Sequence, residues 1–242
     1  MHAEDLLRFT VYLLVGAALT LGLVAGLDWA VRNAAAHDLG LFDTSVAHLG
    51  IVATTALFFL SRSFVDYWLH RAFHTPVLWP LHRLHHSATR LTLATAVRGH
   101  PAGQFLAPVA SALPLLLWEA PAWFVLAFFA AHTYHEILVH SHADIDWGWI
   151  ARWVQCAPVN HKLHHSLDPR HPGRNYSTNL PLWDHLFGTF AHERHIAAVG
   201  LPAPDRERSL AAQLLVDLDD TRRAAAEVLR SAIARDEVCA KG

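Results

Sequence analysis

The 242 residues predict an all-α fold: an integral membrane helical bundle of about four transmembrane helices, with a cytoplasmic histidine-rich helical cap. Composition is the first reason. The chain is 53% hydrophobic and only 17% charged, with a mean hydropathy of +0.22, a balance beyond that of soluble globular chains. The second reason is four uncharged apolar stretches of roughly the length, about twenty residues, that crosses a bilayer as a helix. The third is the spacing of the histidines, of which the chain has 20. Many recur three or four residues apart, the interval that aligns side chains on one helical face.

Taken in chain order, Phe9–Leu27 is the first apolar stretch. A cleaved signal peptide competes with a retained span here, but the leader MHAEDLLR carries two acids against one arginine and lacks a basic start. Thr44–Ser61 is the second stretch, and it runs into HRAFH, with His70 and His74 on one face. Asp66 precedes His70 by four residues, so it either accepts the spare imidazole N–H or pairs with Arg62 or Arg71. Next comes HRLHH, which places His82, His85 and His86 together. Gly99–Trp118 is the third stretch; its Pro101, Pro108 and Pro114 each remove a backbone donor, so a re-entrant segment is the alternative to a full span. Ala120–His135 is the fourth, its apolar character continued by Ile137, Leu138 and Val139. HKLHH then supplies His161, His164 and His165. Residues 201–242 read as a Pro-punctuated turn followed by an amphipathic helix with Leu210, Leu214, Leu215 and Leu218 on one stripe.

Spans three and four form a tight hairpin, so all three histidine boxes emerge on the same side. The loop after span two holds Arg62, Arg71, Arg83, Arg90 and Arg98, whereas the loop at residues 28–43 holds only Arg32, which makes the histidine side cytoplasmic. A net charge of −2 without a basic stripe argues against nucleic acid as a partner. Two cysteines, Cys156 and Cys239, predict neither a disulfide framework nor a CxxC metal site. Arginine far ahead of lysine, with abundant alanine, points to a GC-rich bacterial source and hence to a bacterial cytoplasmic membrane.

Imidazole is the commonest neutral metal ligand. The eight box histidines exceed what one ion takes, since a zinc site uses three or four protein ligands, so two ions are expected. Nitrogen-rich ligation suits iron, zinc, copper or nickel and excludes calcium and magnesium, which take oxygen. The end of span four, HTYHEILVHSH, adds His132, His135, Glu136, His140 and His142. Ionisable residues at the end of a span are functional by default, and His140 and Glu136 lead this group, with His132 and His135 as further candidate ligands. His100 opens span three and is one more possible imidazole.

The strings DYWLHRAFH (Asp66–His74), LWPLHRLHHS (Leu78–Ser87), APVNHKLHHS (Ala157–Ser166) and NYSTNLPLWDHLFGTF (Asn175–Phe190) together resemble the fatty acid hydroxylase/sterol desaturase superfamily of membrane oxygenases. The resemblance covers about residues 60–190. It departs from the family pattern at Ser177, where many members have glycine, and at His142, where asparagine is expected. It implies a single membrane domain with His70, His74, His82, His85, His86, His161, His164 and His165 as ligands. It further implies two iron ions, with zinc a possible substitute in purified protein, and O2-dependent hydroxylation or desaturation of a lipid such as a sterol, fatty acid or carotenoid. Electrons would come from a separate donor: a ferredoxin, cytochrome b5 or a reductase. Asn175, Tyr176, Trp183 and Asp184 would brace the third box, with Asp184 either orienting an imidazole or capping a turn.

Two readings compete with this one. A histidine-rich metal transporter would place ionisable residues along a mid-membrane path, whereas the boxes here lie beyond the ends of the spans. A catalytically inactive, lipid-binding relative is the other, against which the intact boxes speak.

Overall fold

The computed structural model describes residues 50–118, 122–202 and 210–239, together with Gly22, Gly26 and Trp29. Regular structure among these residues is helical, and the β contact present is an isolated antiparallel bridge between Ser166 and Val199. The apolar stretch Phe9–Leu27 lies outside the described residues apart from Gly22 and Gly26.

Helix α1 (Ile51–Phe73) joins the second apolar stretch to the first histidine box without a break. Its 23 residues rise about 34 Å at 1.5 Å each, and His74 caps its C-terminus. Helix α2 (Trp79–His86) carries the second box; Pro80 sits in its first turn, where an N–H has no intrahelical partner anyway. Ser87 ends it, its hydroxyl donating to Leu84 O at 2.8 Å. The short α3 (Leu93–Ala96) is opened by Thr92, whose N–H donates to Thr95 Oγ1 at 2.9 Å. Helix α4 (Pro101–Trp118) is one helix despite its prolines, with Pro101 at its first position. Helix α5 (Ala122–Val139) follows, then α6 (Trp149–Trp153). Helix α7 (Pro158–His164) carries the third box and begins at Ala157, whose N–H donates to Asn160 Oδ1 at 2.9 Å. Helix α8 (Leu182–Leu186) and the long α9 (Leu210–Cys239) complete the series.

Among the described residues, no helix is long and apolar enough to cross a membrane. The second half of α1 carries Arg62, Asp66, His70 and Arg71, and α4 and α5 have 18 residues each, short of the roughly twenty that span a bilayer. Of the expected spans two to four, the described parts are helical from Ile51, Pro101 and Ala122 onward, while their membrane crossing is not shown.

Packing places the boxes together. Helix α1 lies along α4 and meets α5 through Phe58, whose ring is 5.1 Å from that of Phe124 and 6.2 Å from that of Phe128. Helix α7 packs on α5, and Leu163 enters a buried cluster with Leu91, Ile196 and Val199. Gly200, at φ +122°, lets the chain pass so close to Ala88 that a Cβ would stand 3.3 Å from its carbonyl oxygen. From there its N–H donates to His165 O at 3.0 Å, closing the end of the third box. Helix α9 lies on α2, where Arg83 pairs with Asp217 and, at 3.2 Å, with Asp220. Of the expected leucine stripe, Leu218 is exposed while neighbouring Asp217 is buried, because the Arg83 guanidinium draws the carboxylate inward.

Candidate metal centre

Nine imidazoles converge in two groups. His70, His74, His82, His86 and His164 form one; His85, His140, His161 and His165 form the other. In each group one ring nitrogen per residue lies within 4.8 Å of all the rest. The division follows from helical geometry. At about 100° per residue, positions i and i+4 stand about 40° apart and i+3 falls about 60° to the other side. In α2, His82 and His86 accordingly face the first group and His85 the second; in α7, His161 and His165 face the second and His164 the first. The two groups abut, with the rings of His86 and His165 stacked at 4.1 Å.

Backbone carbonyls orient four of the rings. His70 Nδ1 meets Tyr176 O at 2.7 Å, His164 Nδ1 meets Arg174 O at 2.8 Å, His140 Nδ1 meets Glu136 O at 2.6 Å and His85 Nδ1 meets Arg98 O at 3.1 Å. A carbonyl only accepts, so each Nδ1 carries the proton and each Nε2 is left with its lone pair. Burial holds these rings neutral. It pushes His70 and His140 down to about 4 and His74 to about 2, and takes His82, His85, His86, His161, His164 and His165 well below the usual value, neighbouring imidazoles adding to the effect.

The consequence is clearest between His85 and His140, whose Nε2 atoms stand 3.3 Å apart. With both protons committed to carbonyls, lone pair faces lone pair, an arrangement that a shared cation resolves. Nε2 pairs recur at 3.1 Å for His70–His82, 2.9 Å for His140–His161, 3.2 Å for His86–His164 and 3.1 Å for His161–His165. Two nitrogens each about 2.1 Å from one ion stand about 3.0–3.4 Å apart for angles of about 90–110° at the metal, so these separations, at the short end of that range, fit a metal in each group. Three further buried ring nitrogens, His74 Nε2, His161 Nδ1 and His165 Nδ1, have no hydrogen-bond partner among the described residues. The donor set is all nitrogen, which suits a transition metal and not calcium or magnesium.

Other candidate residues stand outside the two groups. His132 Nδ1 lies 3.3 Å from Asn179 Nδ2, and His135 Nε2 lies 3.0 Å from Thr178 O. Eight residues separate His132 from His140, about 12 Å along the axis, so both cannot reach one group. Glu136 contributes its carbonyl to His140, while its carboxylate accepts from Asn179 at 3.4 Å. Asp66 pairs with Arg62 at 3.2 Å and accepts from Ser111, and not from His70. His100 Nδ1 accepts from Ala102 N–H at 3.1 Å, and His142 Nδ1 from Leu91 N–H at 3.3 Å. His192 and His195 pair with Asp146 and Asp144.

Asp184 touches no imidazole. Its carboxylate accepts from Tyr176 N–H at 2.8 Å, Ser177 N–H at 3.0 Å and the Thr189 hydroxyl at 2.6 Å, and burial raises it above the usual carboxylate value. It thereby holds the strand of backbone whose Tyr176 carbonyl orients His70. Asn175 sits between the two orienting carbonyls, of Arg174 and Tyr176, in a left-handed conformation at φ +53°. Its amide donates to Asn160 O at 3.1 Å and Ala191 O at 2.9 Å and accepts from Ala191 N–H at 2.8 Å. Trp183 Nε1–H donates to Ser63 Oγ at 2.9 Å, tying this segment to α1. Arg98 and Arg174 act through their carbonyls, which leave no mark in residue type.

Among known proteins, the fatty acid hydroxylase family matches this chain over residues 55–189. An alkylglycerol monooxygenase of Danio rerio is 33% identical over 153 residues, 61% of this chain and 33% of its own length. That of Xenopus tropicalis is 30% identical over 154 residues, with the same shares. An ornithine lipid hydroxylase of Rhizobium tropici is 33% identical over 125 residues, 51% of this chain and 38% of its own. The chain thus spans about a third of the length of these curated relatives. No solved structure matches.

Proposed function

The chain belongs to the fatty acid hydroxylase family, and from that membership and the two imidazole groups we propose that it is an O2-dependent membrane oxidoreductase that hydroxylates or desaturates a lipid. The observation that carries the proposal is the His85–His140 contact, two neutral rings with opposed lone pairs inside a cluster of four buried imidazoles. His70, His74, His82, His86 and His164 would hold one iron, and His85, His140, His161 and His165 the other. Relatives named as monooxygenases and hydroxylases of alkylglycerols and ornithine lipids support a lipid substrate. Apolar α4, α5 and the first half of α1 support a membrane setting, with the histidine side on the cytoplasmic face.

Bound iron would supply activation of O2 and removal of hydrogen from an unactivated C–H bond. The chain's own contribution is positional. Carbonyls 98, 136, 174 and 176 fix four rings by accepting hydrogen bonds from their Nδ1–H groups, so Nε2 points inward before any metal arrives. Burial excludes water and keeps the rings unprotonated at neutral pH. Electrons would come from a separate ferredoxin, cytochrome b5 or reductase. Transport is disfavoured, because the histidines meet at one closed point and do not line a path.

The test is to express the full chain in membranes, count bound iron and zinc, and compare lipid products with those of His164→Ala/His165→Ala. Two irons per chain and loss of oxidised lipid in the variant are expected. Unchanged lipid oxidation in the variant overturns the proposal.

A further inference from the structure

A cavity of about 250 Å³ lies between α1 and α5, outside the imidazole groups. Its lining runs along α1 from Thr55 and Phe59 to Arg62 and Asp66, with His132 on α5, and the Phe128 ring lies between, 5.8 Å from the Arg62 guanidinium. The polar end is the end nearer the metal centre, since Asp66 is one helical turn before His70, about 6 Å along α1. The apolar end faces back along α1 toward Ile51.

Charge at the polar end is already balanced. Arg62 Nε donates to Asp66 Oδ2 at 3.2 Å, and the Ser111 hydroxyl donates to the other carboxylate oxygen. Asn179, also lining the cavity, adds an amide held against His132 and Glu136. A hydroxyl, ether or amide oxygen would find hydrogen-bonding partners here. A phosphate would meet the Asp66 carboxylate beside the guanidinium, an unfavourable juxtaposition. The volume falls just below the roughly 300 Å³ at which pockets enclose a whole drug-sized ligand, so it suits a head group with its first carbons.

We infer that this cavity holds the uncharged, hydrogen-bonding head of the lipid, with the tail leaving past Phe59 and Phe128. The carbon oxidised then lies a few bonds from the head and not at the far end of the tail. This inference rests on the lipid-oxidising reading above and narrows its substrate class.

The full, iron-loaded chain in detergent micelles is labelled with hexadecanol bearing a photoactivatable diazirine on its third carbon, and the adducts are mapped by mass spectrometry. Adducts are expected within residues 55–66 or 128–135. They should fall at least about tenfold in Ala131→Trp and in Thr55→Trp, which fill the cavity from different helices, with helix content checked by circular dichroism. Unlabelled hexadecanol should compete at least about tenfold better than hexadecyl phosphate, a comparison that needs no variant. Asp66→Asn removes the opposing carboxylate and should improve competition by hexadecyl phosphate about tenfold. Adducts elsewhere, full labelling in both tryptophan variants, or equal competition by the phosphate in the unaltered chain overturns the inference. Oxidised lipid with adducts outside the cavity sinks this inference alone. Adducts in the cavity of an iron-loaded chain that yields no oxidised lipid sink the catalytic reading and leave the lipid site standing.

Discussion

Replacing Asn175 tests whether the metal centre depends on residues that never touch it. The side chain makes three hydrogen bonds, to Asn160 O, Ala191 O and Ala191 N–H, and the backbone stands at φ +53° between the carbonyls that orient His164 and His70. Asn175→Gly keeps the conformation and loses the three bonds, a cost of about 3 kcal/mol at about 1 kcal/mol each. Asn175→Ala loses the same bonds and also asparagine's better tolerance of the left-handed region, a further cost of up to about 1 kcal/mol. At about 2–4 °C per kcal/mol in a chain of this size, the glycine variant should melt about 6–12 °C lower and the alanine variant up to about 16 °C lower. Melting is followed by circular dichroism on purified, metal-loaded protein, with iron counted in parallel. Bound iron should fall in the same order, because the two carbonyls lose their aim before any ligand is altered. An alanine variant with unaltered melting and full iron refutes the reasoning. So does a glycine variant that is worse than the alanine one.

Three other outcomes follow from the same geometry. His70→Ala/His74→Ala/His82→Ala, confined to the five-imidazole group, leaves it two imidazoles and the four-imidazole group intact, so iron drops toward one per chain; complete loss would show that the groups fill only together. In metal-free protein, burial takes His70 and His140 to about 4 and His74 to about 2 against 6.5 unfolded, so the unfolded chain binds more protons between those limits. Stability should therefore be complete above about pH 6.5 and fall as pH drops toward 4, which urea titrations at intervals across that range would show; a flat profile contradicts it. Arg83→Met should cost about 3–5 kcal/mol by removing the guanidinium that pairs with buried Asp217, and Arg83→Met/Asp217→Leu should recover most of it. Denaturant unfolding reads both, and no recovery in the double variant would show that α9 docks on α2 by other contacts.

Much of the centre was legible from spacing alone. Histidines at i, i+3 and i+4 in HRLHH and HKLHH must stand close on the helix surface, with i+3 turned away from the i, i+4 pair, and the chemistry of eight imidazoles points to a transition metal. The resemblance of Asp66–His74, Leu78–Ser87, Ala157–Ser166 and Asn175–Phe190 to a hydroxylase superfamily agrees with the family match over residues 55–189. The end of the fourth apolar stretch was less legible. His132, His135, Glu136 and His140 all looked eligible there, and the structure brings only the imidazole of His140 to the two groups, because rise along α5 separates His132 from it by two turns. Asp66 presented three partners to the sequence, His70, Arg62 and Arg71, and the packing of α1 against α4 settles it on Arg62 and Ser111.

The sequence by itself determined that these helices would present imidazoles in local sets, since side-chain direction on a helix depends only on residue interval. Tertiary structure alone decided which histidines of different boxes share a group, and which carbonyls fix the rings. Those depend on how α1, α2, α5 and α7 are rotated against one another. They depend also on the backbone oxygens of Arg98, Glu136, Arg174 and Tyr176, atoms that every residue possesses and no residue type announces.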